Sequence, residues 1–280
     1  MTEPATGAAV RRRPWGPWSS LGIVAGSIVM ALVLATVGFI VLFTTAIVAS
    51  GSPGGGPMMA SPMFEMLNFA FSIAIQLLVV GTLLLLIHLR GLPLRPYLGL
   101  RPTTLKAVGF CVLTVVGWMA IEWWLHWLVD PPVSQSLIDM FSAPAALPII
   151  AVLVVVIAPI AEEIAFRGFL WRGLIHSRLG LHGTVAVTTV IFALLHAFQY
   201  GWFELLLVGG LGAILGYSRH LSRSLLVPML IHFLNNLVAM AMLSFLYFSG
   251  ELIPSEPAPY PASLGRLSDV LLGALHSCGG

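Results

Sequence analysis

Seven stretches of this chain are apolar enough, for long enough, to be read as membrane crossings: Leu21–Ala49, Met66–His88, Leu105–Val129, Leu147–Ile175, Gly183–Tyr200, Trp202–Tyr217 and Leu225–Phe248. A helix needs ~20 mostly apolar residues to cross the hydrocarbon core, and the sixth stretch is the shortest. Within lipid every backbone N–H and C=O must be satisfied inside the structure. The sequence therefore predicts an all-α, polytopic transmembrane helix bundle of about seven spans. With 58% hydrophobic and 9% charged residues among 280, a soluble fold could not hide this much apolar surface.

The basic residues give the orientation. Arg11, Arg12 and Arg13 precede the first span, and Arg90, Arg95, Arg101 and Lys106 follow the second. Arg167, Arg172 and Arg178 come next, then Arg219 and Arg223; only Arg266 breaks the alternation. Basic residues mark the cytoplasmic side, which puts the N-terminus inside. The net charge of +2 suggests no nucleic-acid partner. Trp15, Trp18, Trp127 and Trp202 fall near span ends, as an interfacial belt requires. Gly209, Gly212 and Gly216 share one side of the sixth span, a pattern for close helix packing. The two cysteines, Cys111 and Cys278, form neither a disulfide framework nor a metal knuckle. Four segments follow: a basic tail 1–20, a three-helix region 21–146, a polar-cored region 147–248 and a tail 249–280.

Ionisable groups at membrane depth are costly and mark function by default. Here they are Glu162, Glu163, Arg167, His196 and His232, with Asn235 and Asn236 beside them. In Ala161-Glu-Glu-Ile-Ala-Phe-Arg-Gly168, Glu163 and Arg167 stand four apart on one helical face and predict an ion pair. Glu162 is turned ~100° away and stays free to act. His196 closes Phe192-Ala-Leu-Leu-His196, and His232 and Asn236 share a face of the seventh span. Each taken alone is also a packing residue or interhelical glue. Together they point to one site, although a cluster that only pins helices remains the alternative: at 1.5 Å per residue, Glu162 and His196 each lie ~20 Å from the inner ends of their helices, and His232 to Asn236 ~15–22 Å.

A carboxylate, two imidazoles and a carboxamide suit the addition of water to an amide: a base deprotonates water and fixed donors hold the oxyanion. Glu162, His196 and His232 also suit Zn²⁺ with water in the open position. Other hydrolase designs are missing. There is no HExxH, Gly216-Tyr-Ser-Arg219 lacks the closing glycine of a GxSxG elbow, and Asp130, Asp139 and Asp269 all lie outside the spans. Glu122, beside Trp123 and Trp124, reads as an interfacial acid, and Glu204 as a helix N-terminal one.

Glu162-Glu-Ile-Ala-Phe-Arg167, Phe192-Ala-Leu-Leu-His196 and His232-Phe-Leu-Asn-Asn236 resemble, in order, the EExxxR, FxxxH and HxxxN/B motifs of the CPBP family. That family comprises the CAAX prenyl proteases and the bacterial bacteriocin-processing or immunity (Abi) proteins. The resemblance covers roughly Ile149–Met240. It implies an intramembrane endopeptidase of the bacterial plasma membrane acting on a membrane-associated peptide or protein. Carried over by position, Glu162 and His196 would activate water, His232 and Asn236 would stabilise the oxyanion, and Glu163 and Arg167 would support them. The family is described both as metalloprotease-like and as glutamate-dependent without metal. Two rival readings are a proton-coupled carrier, since Glu/His chains also relay protons, and a non-catalytic immunity protein.

Overall fold

In a computed structural model the chain is described at residues 14–50, 62–131, 141, 146–197 and 199–250. The basic run Arg11–Arg13, the Gly/Pro loop Ser52–Pro57, Asp139 and the tail from Glu251, with Cys278, lie outside the described residues. Every regular element among the described residues is helical. In chain order these are α1 (Pro17–Ser50), α2 (Pro62–Leu89), the short α3 (Leu94–Leu98), α4 (Leu105–Val129), α5 (Leu147–Leu174), α6 (Gly180–Leu195), α7 (Trp202–Ser222) and α8 (Leu226–Ser249). The all-α polytopic bundle is thus what the chain forms.

Five of the seven expected spans, α1, α2, α4, α5 and α8, meet a length-and-composition criterion for crossing a membrane. The fifth and sixth expected spans are helical, but α6 has only 16 residues. The 21-residue α7 carries Glu204 in its first turn and Arg219 and His220 in its last, so its apolar middle is short.

Hydroxyls along the helices turn back on their own backbone. Ser27 donates to the Ile23 carbonyl (2.7 Å), Thr114 to Phe110 (2.8 Å) and Thr188 to Thr184 (2.9 Å). Each polar atom is satisfied without a second helix, which lets apolar neighbours face lipid. Exposed Val33, Leu77, Leu113 and Phe245 are therefore lipid-facing residues of an integral membrane protein.

The helices do not share burial equally. Half of the apolar window of α5 is buried, against 17% for α1, α2 and α4. Helix α5 is therefore the central rod. Its Phe166, Phe169, Leu170 and Leu174 form one core with Val24 and Ala31 of α1, Leu83 and Ile87 of α2, and Phe192 of α6. A second core joins Cys111 and Val115 of α4 to Leu211 and Leu215 of α7 and Ile231 of α8. Helices α6 and α7 meet through glycine: a Cβ at Gly216 would come within 3.1 Å of Val185. Gly212 is packed likewise, but Gly209 has nothing within 4 Å; its neighbour Gly210, not Gly209, is the one in contact, pressed by the Trp118 ring.

The chain divides into two compact units, Met1–Met240 and Ala241–Gly280. All the residues of the candidate site fall in the first. In the second, the end of α8 carries the Tyr247 and Phe248 rings, 5.2 Å apart.

Candidate active site

Helix α5 is not a uniform α-helix. Leu153–Ile157 and Ile164–Leu170 wind as π-helix, with an α segment Ala158–Glu163 between them. Such bulges are rare and tend to occur at functional positions. The first has a chemical consequence. The Ala158 N–H donates to the Leu153 carbonyl, five residues back. In that register residue 159 would serve the Val154 carbonyl, but it is proline and has no N–H. Asn236 of α8 fills the gap, with its Nδ2 donating to the Val154 carbonyl at 2.9 Å. One helix opens an acceptor inside the bundle and another closes it.

The second π segment carries the charged pair. Arg167 Nη1 donates to Glu163 Oε1 at 2.8 Å, and both side chains are fully buried. Arg167 Nη2 donates to the Gly212 carbonyl of α7, also at 2.8 Å. The guanidinium carbon stands 4.9 Å from the Phe192 ring centroid and 5.9 Å from that of Phe166. The ion pair expected from the i,i+4 spacing is formed. Because both charges are out of water, losing either partner would strand the other at a cost of several kcal/mol. Arg167 thus belongs to the bundle interior, not to the basic loop that follows it.

His232 of α8 completes the group. Its Nδ1 is 3.2 Å from Oε1 of Glu163. A carboxylate can only accept, so Nδ1 carries the proton. The other nitrogen, Nε2, faces Oε2 of Glu162 at 3.8 Å. The two adjacent glutamates therefore do different jobs. Glu163 is committed to Arg167 and to orienting His232. Glu162, 16% exposed at its side chain, has no arginine partner among the described residues.

His196 caps the C-terminus of α6. Its Nδ1 donates to the Phe192 carbonyl at 2.8 Å, which leaves Nε2 as the acceptor of the neutral ring. The Phe192 ring ties the constellation together, with centroids 4.9 Å from His196, 5.8 Å from His232 and 5.7 Å from Phe166. The tyrosine that follows, Tyr200, stacks on His196 at 5.8 Å and 5°. Burial, then the nearby Glu162 and Glu204 carboxylates, push the Tyr200 hydroxyl above its ordinary range. Tyr200 thus belongs to the Glu162 and His196 neighbourhood.

The structure therefore brings Glu162, Glu163, Arg167 and His232 into one contiguous chain of polar contacts. It attaches Asn236 to α5 through Val154, and connects His196 to the group through Phe192 and Tyr200. Among the described residues no group of three or more His, Cys, Asp or Glu side chains is placed to hold a metal ion. Sequence reasoning missed Pro159 and Tyr200 as participants, and it named Gly212 and Phe192 without their roles as carbonyl acceptor and ring hub. Proline inside an apolar run was the available signal for Pro159; the FxxxH spacing singled out Phe192 but not its role as a hub.

Residues 144–238 match the family described as Type II CAAX prenyl endopeptidase Rce1-like. That decides the resemblance. Over this segment, about a third of the chain, the protein is similar to the Rce1-like CAAX endopeptidases. The segment runs from just before α5 into α8 and takes in Glu162, Glu163, Arg167, His196, His232 and Asn236. No curated protein and no solved structure matches the chain. The Rce1-like match and the five apolar helices together support an intramembrane protease.

Proposed function

We propose that the chain is a glutamate-dependent intramembrane endopeptidase that hydrolyses a peptide bond of a membrane-associated protein, as CAAX-type and bacteriocin-processing proteases do. One observation carries this: in an Rce1-like segment, Glu162 is the acid left without an arginine, 3.8 Å from the imidazole Nε2 of His232.

In this mechanism water enters between Glu162 and the imidazoles. The Glu162 carboxylate takes its proton, and the water oxygen adds to the scissile carbonyl carbon. The lone pair on His196 Nε2 orients the same water as a second acceptor. As the tetrahedral oxyanion forms, the second N–H of Asn236 Nδ2 and the Nε2–H of His232, which enters the cycle as the imidazolium and keeps both its protons throughout, supply fixed donors. The C–N bond then breaks and the proton held by Glu162 passes to the leaving amine. Glu163 and Arg167 touch no reacting atom. They hold His232 Nδ1 so that Nε2 points toward Glu162. No step is routed through a metal.

A paired acid in which one member is tied down and the other faces a histidine favours hydrolysis over proton-coupled transport. Glu162→Gln is the test, read by comparing membrane proteomes of cells carrying the parent or the variant. Gln cannot accept the proton, so uncut substrates should accumulate while the purified variant keeps the parent's melting temperature. Identical proteomes for the parent and a folded variant would reject the proposal.

A further inference from the structure

The second π segment of α5 leaves a carbonyl over, as the first does. Trp171 N–H donates to the Phe166 carbonyl, five residues back, and Ile175 N–H to the Trp171 carbonyl, four back. Between these two bonds the N–H groups of residues 172–174 face the carbonyls of residues 167–170. There is one acceptor more than there are donors, and a buried carbonyl needs a partner. Arg219 of α7 supplies it, with Nε donating to the Arg167 carbonyl at 3.1 Å. Asn236 does the same for Val154 at the first π segment.

Arg219 is built into this place. It is 7% exposed although it stands in the last turn of its helix. Its Nη2 donates to the Leu98 carbonyl at 3.2 Å. Gly99, at φ 73°, lies against the same guanidinium, and a Cβ there would collide with Nη2. The left-handed backbone and the close approach both ask for glycine. Leu225 N–H donates to the Gly99 carbonyl at 2.9 Å. Leu98 and Leu225 in turn press on Gly168, where a Cβ would come within 2.9 Å and 3.4 Å of them. The end of α3 and the turn into α8 are thus clasped onto the residue that follows Arg167.

One helix therefore holds Arg167 twice. Arg219 takes its carbonyl, and the Gly212 carbonyl takes its guanidinium at 2.8 Å. Gly212 and Arg219 stand about two turns apart on one face of α7. With backbone and side chain both tied to α7, the guanidinium meets Glu163 Oε1 at a set place, and that same oxygen accepts from His232 Nδ1. The Glu163 carboxylate also acts on the Arg219 guanidinium, in favour of its charge. Without the Arg219 donor the segment would relax toward α register, which rotates its side chains about the helix axis.

We infer that Arg219 is a positioning residue of the site: it fixes the winding of α5 at Arg167 and, through Glu163, the direction of the His232 ring. It touches no reacting atom. Its catalytic meaning rests on the hydrolytic reading, but its effect on the ring can be read without a substrate.

Full-length protein carrying nitrogen-labelled histidine is studied by NMR in detergent, and the His232 ring signals are identified by their loss in His232→Gln. Arg219→Gln should shift them. Gly99→Ala, which keeps the arginine and displaces its guanidinium, should shift them too. His182 is the internal reference, because its Nδ1 meets the Tyr217 hydroxyl of α7 at 2.9 Å. General loosening of α7 would move both histidines, whereas a positioning role moves His232 and leaves His182. Arg223→Gln, which removes an exposed arginine just past α7, should leave both at the parent's values. On a substrate found through Glu162→Gln, Arg219→Gln should lower kcat by up to about 100-fold, the cost of a misplaced group, with KM near the parent's. His232 signals unmoved in either folded variant, His182 shifted as far as His232, or a kcat equal to the parent's would overturn the assignment. A parent that cleaves nothing while His232 still answers to Arg219 would reject the hydrolytic reading and leave the positioning contact standing.

Discussion

His232 Nδ1 and the Glu163 carboxylate meet at 3.2 Å, on the same oxygen that takes the Arg167 guanidinium. A single atom, Oε1, therefore links the charge balance of the bundle interior to the direction in which an imidazole points. The guanidinium and the imidazole Nδ1–H both donate to that oxygen, and the other ring nitrogen is presented to Glu162. The order of the motif, acid then acid then arginine four residues on, is the minimum that does this from one helix.

Arg167→Ala should be severely destabilising. It leaves Glu163 buried without a counter-charge and empties space beside Phe192. Loss of one member of a buried pair costs about 3–5 kcal/mol, so the melting temperature in detergent should fall by several degrees or more. Arg167→Met with Glu163→Gln, which removes both charges, should recover much of that loss. A double variant as unstable as Arg167→Ala would mean that the cost is packing and not charge.

The Asn236 contact can be tested through its cause. If Pro159 leaves the Val154 carbonyl unserved, Asn236→Ala should strand a buried acceptor and cost about 1–3 kcal/mol. Pro159→Ala restores a backbone N–H near that carbonyl, so in its background Asn236→Ala should cost clearly less. The check is a double-mutant cycle on thermal unfolding. Equal costs in the two backgrounds would separate Asn236 from the π segment.

These two contacts mark what the sequence could and could not say. The Glu163–Arg167 pair was legible because both residues lie on one helix, where spacing determines facing. The bundle class was legible because hydropathy sums over many residues. The inner end of α7 was not: its apolar run stops near Tyr217, whereas the helix continues to Ser222 with Arg219 turned inward onto the carbonyls of Leu98 and Arg167. Nor was the π winding of α5, since a register of five residues arises from packing around Pro159 and not from any single propensity. Asn236 was expected on the His232 face of its helix, but its contact with Val154 depends on that winding. Arg219 had been counted with the loop arginines because sequence position gives depth only to within a turn or two.

Metal removal should leave the enzyme working. With no three-donor set among the described residues, protein treated with a strong chelator should keep its melting temperature and its cleavage of any substrate found through Glu162→Gln. Metal content should also be the same in the parent and in His196→Ala. Activity lost on chelation and restored by zinc alone would instead make His196 and His232 ligands in the working enzyme.

The two glycines on the same side of α7 should behave in opposite ways. A Cβ at Gly212 would lie 3.3 Å from Thr189, 3.4 Å from Phe192 and 3.5 Å from the Arg167 guanidinium. Alanine fits only if these neighbours give way, and Gly212→Val would push directly on the group that holds Glu163. Overpacking of this kind costs about 1–3 kcal/mol, and a displaced Arg167 should lower turnover as well. Gly209 has open space around it, so Gly209→Ala should hold or raise the melting temperature, by up to about 1 kcal/mol from helix propensity. Thermal unfolding of both variants with a cleavage assay decides it. Equal tolerance at the two positions would mean that α7 does not press on Arg167, and the Gly212 carbonyl would then be an acceptor that any residue at that position can supply.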